Sequence, residues 1–227
     1  AYACAPIVRD GQVTGFLNIY SSQRDFFTPA HLQHLQAFAD QAALALYNAQ
    51  LFSAERDQRA LAEALQDTAE IINSTLDMDV VTDRILDNLK RVLPHDSASL
   101  MLIEDGVGRI ERHRGFVERG LGPWLAEMRF PIDSMPTLKK MYDTRQPIVV
   151  TNTALDPDWL AFPQVGWIRS YTGAPIHREG NVLGYLQVES AWPNFFNEKH
   201  AQRLQSFADQ AAIAIRNAQL YDAVQMH

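Results

Sequence analysis

Polar and aliphatic residues alternate along the predicted strand 182–190. Gln187 and Glu189 fall on one face of this strand, whereas Leu186 and Val188 fall on the other. The apolar face is expected to pack against alanine-rich helices, which leaves the mixed face to meet a ligand. Small-molecule sites generally combine a few polar groups with aromatic side chains. We therefore predict a ligand-binding site on this strand, its neighbours and an aromatic loop, made of Ser99, Met101, Trp159, Phe162, Trp167, Tyr171, Tyr185, Gln187 and Glu189.

The same residues have a second explanation. Tyr185 and the tryptophans would fill a second hydrophobic core, while Gln187 and Glu189 hydrogen-bond to loop backbone. A register error of one residue would also exchange the two faces of the strand. The sequence leaves both explanations open, and it identifies neither the ligand nor a cofactor.

Spacing does not bring together residues that would catalyse a reaction. The carboxylate pairs Glu104–Asp105 and Asp156–Asp158 fall in predicted turns, where Asp usually hydrogen-bonds to backbone groups. The sequence contains no glycine-rich phosphate loop and no His-Glu-x-x-His motif, and Cys4 is its only cysteine. We therefore predict no catalytic residue and no metal site, and we do not expect an enzyme.

The histidines His95, His113, His177 and His200 are scattered, which favours solvated or hydrogen-bonded side chains over a ligand cluster. His113 lies on a predicted strand from which it would reach the pocket and ligate haem. Haem binding through His113 therefore stays open as an alternative.

The distribution of charge excludes two classes of partner. The formal net charge is −7, and Lys and Arg are scattered rather than clustered, so a phosphate-neutralising surface for nucleic acid is missing. No apolar run approaches the roughly 20 residues of a membrane-spanning helix. We expect no nucleic-acid and no membrane partner.

The single cysteine fits a reducing compartment, so we expect a cytoplasmic protein.

An internal repeat organises the chain. Residues 5–54 match residues 174–223 without a gap at an offset of 169, with 27 of 50 positions identical. Each copy has the pattern of a β-hairpin followed by a helix. We therefore expect a piece of a longer protein in three parts: the C-terminal part of a first domain at 1–50, a linker helix at 51–75 and a complete second domain at 76–222.

Residues 29–74 contain no glycine, and no proline after Pro29, which predicts one long helix. Nine of its residues, most of them apolar, recur at alternating spacings of three and four. This pattern indicates a seam for pairing with another helix. We expect a homodimer through this helix. Alternatively, its apolar face packs on its own domain. The seam contains Leu44, Tyr47, Leu51, Ala54, Gln58, Leu61, Leu65, Thr68 and Ile72.

The second domain is predicted to begin with a helix near Asp79 that ends before Pro94. Two strands, a short helix and a third strand follow, and then an irregular aromatic segment. A hairpin and an alanine-rich helix end the domain. In order, the elements after the first helix are strands at 97–103 and through 110–113, a helix at 134–142, a strand at 147–150, the segment 151–168 and the hairpin 171–189.

Several stretches resemble GAF domains: Ser99–Leu102, Arg145–Asn152, Ser170–Ile176, Val182–Leu186 and Phe207–Ile215. The resemblance covers 76–222 and, in the first copy, 1–50. It implies an α+β fold, namely a six-stranded antiparallel sheet with helices on both faces, preceded here by a β-hairpin and a long connecting helix.

The resemblance implies a regulatory, small-molecule-sensing module of a cytoplasmic signal-transduction protein, such as the sensor histidine kinase of a two-component system. Ligand binding would be coupled through long dimerising helices to an output domain beyond His227. The alternative is a ligand-free dimerisation and signal-transmission module. Residues 76–222 contain no cysteine, so the attachment residue of bilin-binding members is absent. A single thiol also does not suffice for members that reduce free methionine sulfoxide.

Overall fold

The chain divides into two units, Ala1–Arg59 and Ala60–His227, in a computed structural model that describes residues 1–74 and 77–225. Helix α1, Pro29–Ser74, contributes residues to both units. It confirms the prediction of one long helix, which rests on the absence of glycine and of further proline. The proposed boundary between linker and second domain, at residues 75–76, lies outside the described residues.

The first unit is a β-hairpin followed by a helix. Strand β1, Tyr2–Arg9, pairs antiparallel with β2, Gln12–Tyr20. The tight turn between them holds Asp10 and Gly11 at positive φ, a conformation that glycine adopts without steric cost. A small core joins the hairpin to α1 through Ala3, Ala5, Leu35 and Ala39.

The second unit contains a six-stranded antiparallel sheet, as the resemblance to GAF domains implied. The spatial order of its strands is β5-β4-β3-β8-β7-β6. The sequence did not predict two short elements of the second unit, helix α3 and strand β5. The elements after α1 are α2 (Met78–Val92), β3 (Ser97–Glu104), β4 (Val107–Arg114), α3 (Gly122–Glu127), β5 (Phe130–Pro131), α4 (Pro136–Thr144), β6 (Ile148–Val150), β7 (Ser170–Arg178), β8 (Asn181–Ser190) and α5 (Glu198–Gln225).

The main core lies between one face of the sheet and helices α2 and α5. Leu186 and Val188 of β8 are fully buried there with Phe207 of α5. Alanines at 208 and 211 on α5 are also fully buried, and their small size lets the helix lie close to the sheet. The predicted assignment of the apolar face of β8 to the alanine-rich helix is therefore confirmed.

The last turns of α1 pack on α2 within the second unit. Thr68 is buried, and its hydroxyl accepts a hydrogen bond of 2.9 Å from Asn88 Nδ2. Leu61 and Leu65 are partly buried against the main core. These three positions of the predicted seam therefore make contacts inside their own unit. The side chain of Ile72, the last position of that seam, lies outside the described part.

A second, smaller core lies on the opposite face of the sheet. It contains Met101 of β3, Tyr171 of β7 and Tyr185 of β8, with Leu138 and Met141 of α4. Helices thus lie on both faces of the sheet, as predicted. The second core borders the candidate site.

Substitution of Gly184 tests the close approach of β8 to β3. A Cβ atom at this position would overlap the carbonyl oxygen of Met101, so Gly184→Ala should lower the free energy of unfolding by roughly 3 kcal/mol or more. Gly166→Ala is the matched control, because its nearest neighbouring atom would lie 3.5 Å away. The control should change stability by less than about 1 kcal/mol. Equal urea midpoints for the two variants would contradict this packing.

Candidate ligand-binding site

The floor of the candidate site is one face of the three central strands. The pairing register is continuous through this region, because the register shift between β7 and β8 lies nearer the hairpin turn. The polar residues of β8 therefore share one face, as their alternation predicts. Cross-strand pairing aligns the floor in three rows: Ser97, Glu189 and Tyr171; Ser99, Gln187 and Gly173; Met101, Tyr185 and Pro175.

The roof consists of α3, α4 and the segment 151–169. The hydroxyl of Tyr185 donates a hydrogen bond of 2.9 Å to the carbonyl oxygen of Leu138, which ties α4 to the floor. Thr137 of α4 donates a hydrogen bond of 3.0 Å to the carbonyl oxygen of Asp158. Helix α4 is therefore fixed to the sheet, and the segment 151–169 is fixed to α4.

A cavity of about 90 Å³ lies between floor and roof. It is large enough to hold ordered water, which needs roughly 10–15 Å³ of such space per molecule. Most of its lining is apolar, and the floor contributes polar groups from Ser99, Gln187 and Glu189. The aromatic lining residues are Phe116, Trp124, Phe130, Trp159, Phe162 and Tyr171.

A chain of hydrogen bonds orients the polar groups of the floor. The Tyr171 hydroxyl donates a bond of 2.9 Å to Gln187 Oε1, and Gln187 Nε2 donates a longer one of 3.5 Å to Ser99 Oγ. Gly173 makes this arrangement possible, because a Cβ atom there would overlap the Tyr171 hydroxyl and lie 2.9 Å from Met141 Sδ. The amide of Gln187 is thus held between two hydroxyl groups.

Glu189 carries the strongest electrostatic perturbation of the site. Its side chain is buried, and Ser97 Oγ donates a hydrogen bond of 2.6 Å to Oε2. Burial away from water raises the pKa of this carboxyl group from its ordinary 4.5 to about 8, and the bond from Ser97 opposes the rise only in part. Burial, and to a lesser extent Glu189, also raise the pKa of Tyr171. At neutral pH the Glu189 carboxyl group is therefore mainly protonated.

The structure places most of the predicted site residues at the cavity. Its lining includes Ser99, Met101, Trp159, Phe162, Tyr171, Gln187 and Glu189. Tyr185 and Trp167 are not part of this lining. Tyr185 holds α4, as described above, and Trp167 packs against Phe116 with the Arg119 guanidinium 3.9 Å from the centre of its ring.

Sequence reasoning missed several residues that line the cavity, among them Phe116, Trp124, Phe130 and Met135. They belong to short elements and turns between β4 and α4, whose lengths give no clear periodicity. The aromatic character of Phe116, Trp124 and Phe130 was the only available signal.

His113 lies on β4 opposite Ser99, but it does not line the cavity. Its ring packs edge-on against Phe116 with centroids 5.9 Å apart, and burial lowers its pKa. Within residues 1–74 and 77–225, no group of three or more His, Cys, Asp or Glu side chains is placed to hold a metal ion. In the same part of the chain, no helix is long and apolar enough to cross a membrane.

Family models agree with this architecture. A model of the GAF domain matches residues 75–216, and another model of the GAF domain matches residues 1–46. The chain belongs to the GAF domain family. GAF domains are ligand-sensing regulatory modules of signalling proteins, and they are generally regulatory rather than catalytic.

Solved structures with this fold include other GAF domains. One, from a phosphoenolpyruvate-protein phosphotransferase of Coxiella burnetii, is 19% identical with a TM-score of 0.63, covering 73% of this chain and 98% of that chain. The phycocyanobilin-bound GAF domain of a cyanobacterial phytochrome is 18% identical with a TM-score of 0.59, covering 71% and 96%.

The free methionine-R-sulfoxide reductase of Neisseria meningitidis, solved with its substrate, is 17% identical with a TM-score of 0.60, covering 71% and 91%. At these identities the similarity establishes the fold and not the ligand. No curated protein sequence matches the chain significantly.

Glu189 should make stability depend on pH. The unfolded chain ionises this group near 4.5, whereas the folded GAF domain keeps its proton up to about 8. The stabilising contribution is therefore fully present below pH 4.5 and is lost as the pH rises to about 8. Glu189→Gln should remove this dependence and, at pH 8, should be more stable than the wild type by on the order of a few kcal/mol.

Urea unfolding at pH 5, 6.5 and 8 measures the effect. Glu104→Gln is the control, because Glu104 lies exposed on the same sheet. It should leave the pH dependence of the wild type unchanged. Parallel pH profiles for the wild type and Glu189→Gln would show that the carboxyl group is not buried as described.

Proposed function

We propose that the second GAF domain senses a small molecule in the cavity above Ser99, Gln187 and Glu189. We further propose that binding regulates the output domain of a cytoplasmic signal-transduction protein, and that the module itself is not an enzyme. The observation that carries the proposal is the cavity: one face of the sheet packs on helices, while the other bears polar groups below an aromatic roof.

The two faces of β8 provide a route from the cavity to the helices. Gln187 and Glu189 line the cavity, and the intervening Leu186 and Val188 belong to the buried cluster that includes Phe207 of α5. Closely packed interiors transmit displacement, so a ligand that moves β8 would shift α5. Such a shift regulates an output only if the ligand binds two states of the domain with different affinity.

The size of the cavity limits the ligand. Pockets for drug-sized molecules have roughly 300–1,000 Å³, whereas this cavity has about 90 Å³. The related phytochrome domain holds phycocyanobilin. A bilin would not fit here without a large movement of the roof. We therefore propose a ligand of only a few non-hydrogen atoms.

A second candidate function is a ligand-free dimerisation and signal-transmission module. It is favoured by the hydrogen bonds among Tyr171, Gln187 and Ser99, which satisfy part of the polar floor without a ligand. The cavity and the carboxyl group of Glu189 favour sensing instead, because a pure packing core has no need of either.

We also propose that the chain dimerises through α1 and that its output domain, such as a histidine kinase, follows His227. Leu44 and Leu51 support the dimer, since 61% and 51% of their respective surfaces are exposed on the helix. The proposed organisation keeps a partial first domain at 1–50, a linker helix at 51–75 and a complete domain at 76–222.

Filling the cavity should abolish ligand binding. We propose to test the full chain with isobutylamine, isobutanol, isobutyramide and isobutyrate, which share a compact branched carbon skeleton. At ten times its Kd, a ligand stabilises the folded state by about 1.4 kcal/mol, which raises Tm by roughly 3 °C. At least one compound should raise Tm by this amount and change tryptophan fluorescence. Ser99→Leu, which fills the cavity, should remove both effects.

Ser22→Leu is the control, because Ser22 is exposed in the first unit. It should respond like the wild type. Native mass spectrometry of the purified protein provides a second readout, since a ligand retained from the cell would add mass. The sensing proposal would be wrong if no compound raised Tm and no bound mass were found.

Charge on the exposed part of α1 should weaken the proposed dimer. Leu51→Lys places repelling charges in the seam of both helices, so the dimer should dissociate at least about tenfold more readily. Ser53→Lys adds the same charge at an exposed position outside the seam and should have little effect. Sedimentation at tens of micromolar distinguishes the cases, and a monomeric wild-type chain would refute the dimer.

A further inference from the structure

The ionisable groups that line the cavity are all acidic or phenolic. They are Glu189 and Tyr171 from the floor and Asp158 from the roof. No Lys, Arg or His belongs to the described lining, and His113 of β4 lies outside it. A ligand with a carboxylate or phosphate group would therefore meet no counter-charge and would approach a buried acidic group.

The carboxyl group of Glu189 has one unused oxygen. Ser97 donates to Oε2, but no described residue donates a hydrogen bond to Oε1 or forms an ion pair with the group. The residue is only 5% exposed and lines the cavity. Ionising this buried group is costly because only Ser97, among the described residues, donates to it, and a cation placed beside Oε1 would offset much of that cost.

The other residues of the floor and roof fit the N–H groups and alkyl groups of an organic cation. Ser99 Oγ and Gln187 Oε1 each retain acceptor capacity for further N–H groups. Trp159 lies 5.1 Å from Tyr171 between ring centroids, and Phe162 packs edge-on against Phe130. Aromatic rings attract a nearby cation through their electron-rich faces and also accept its alkyl groups.

The internal repeat offers a comparison within the same chain. At an offset of 169, Tyr20 of the first hairpin corresponds to Glu189, while Tyr2 and Asn18 correspond to Tyr171 and Gln187. The Tyr2 hydroxyl donates to Asn18 Oδ1 at 2.9 Å, as Tyr171 does to Gln187. The first hairpin therefore forms the same tyrosine–amide pair with a tyrosine in place of the carboxyl group.

We propose that the cavity binds a small organic ammonium ion, with its charged group at Glu189 Oε1 and its carbon skeleton against Trp159 and Phe162. This inference rests on the proposed sensing function, because it names the class of ligand for the same cavity. The volume of about 90 Å³ restricts the ion to a compact one.

Four probes of nearly equal shape test the inference on the full chain at pH 8: isobutylammonium, isobutanol, isobutyramide and isobutyrate. Alkylamines stay protonated at this pH, because they titrate near the value of about 10.4 of lysine. Calorimetry should show isobutylammonium binding at least about tenfold more tightly than isobutanol or isobutyramide, with no measurable binding of isobutyrate.

Glu189→Gln keeps the shape of the side chain and an acceptor for Ser97 while it removes the charge. It should weaken isobutylammonium binding at least about tenfold and leave isobutanol binding within about threefold. Asp158→Asn removes the other lining carboxylate, which lies at an exposed position, and should leave the preference for the ammonium ion intact.

The outcomes separate this inference from the function on which it rests. Tighter binding of isobutyramide, isobutanol or isobutyrate would overturn the ammonium assignment and leave sensing in place. A preference for isobutylammonium that survives Glu189→Gln would also overturn the assignment. If none of the four probes bound and no native ligand were retained, both proposals would fall.

Discussion

The carboxyl group of Glu189 lies between two strands and below an aromatic roof, and its removal from water has to be offset by its neighbours. Ser97 Oγ is the one described side chain that donates to it, and burial holds the pKa of the group near 8. A roof that admitted bulk water would lower that pKa, and a lysine or arginine beside the group would do the same. The aromatic lining and the lack of lining cations are therefore parts of one arrangement.

The alternation of β8 connects this site with the main core. A strand can present a polar cavity floor and a helix-packing surface at once only because successive side chains point to opposite faces. Gly184 permits the close pairing with β3 that keeps the register, and Gly173 leaves room for the Tyr171 hydroxyl. Displacement of either face of β8 consequently affects the other. This coupling is the physical basis of the proposed regulation by a ligand in the second GAF domain.

The sequence predicted the features that depend on periodicity and failed on those that depend on long-range packing. The alternation around Leu186 and Gln187 fixed the two faces of β8, and the repeat located both hairpins. Helix α3 and strand β5 escaped detection because two to six residues carry no measurable period. Trp167 was assigned to the cavity with its aromatic neighbours, yet its ring packs on Phe116 and Arg119. The orientation of a side chain in an irregular segment depends on contacts that spacing does not encode.

The pKa of the Glu189 carboxyl group tests the central claim most directly. Carbon-detected NMR of the full chain, labelled at the glutamate carboxyl carbons and assigned with Glu189→Gln, would follow this group between pH 4 and pH 9. A midpoint near 8 that falls when isobutylammonium is added would agree with a buried carboxyl group that awaits a cation. A midpoint near the ordinary 4.5, unchanged by the ammonium ion, would contradict the account.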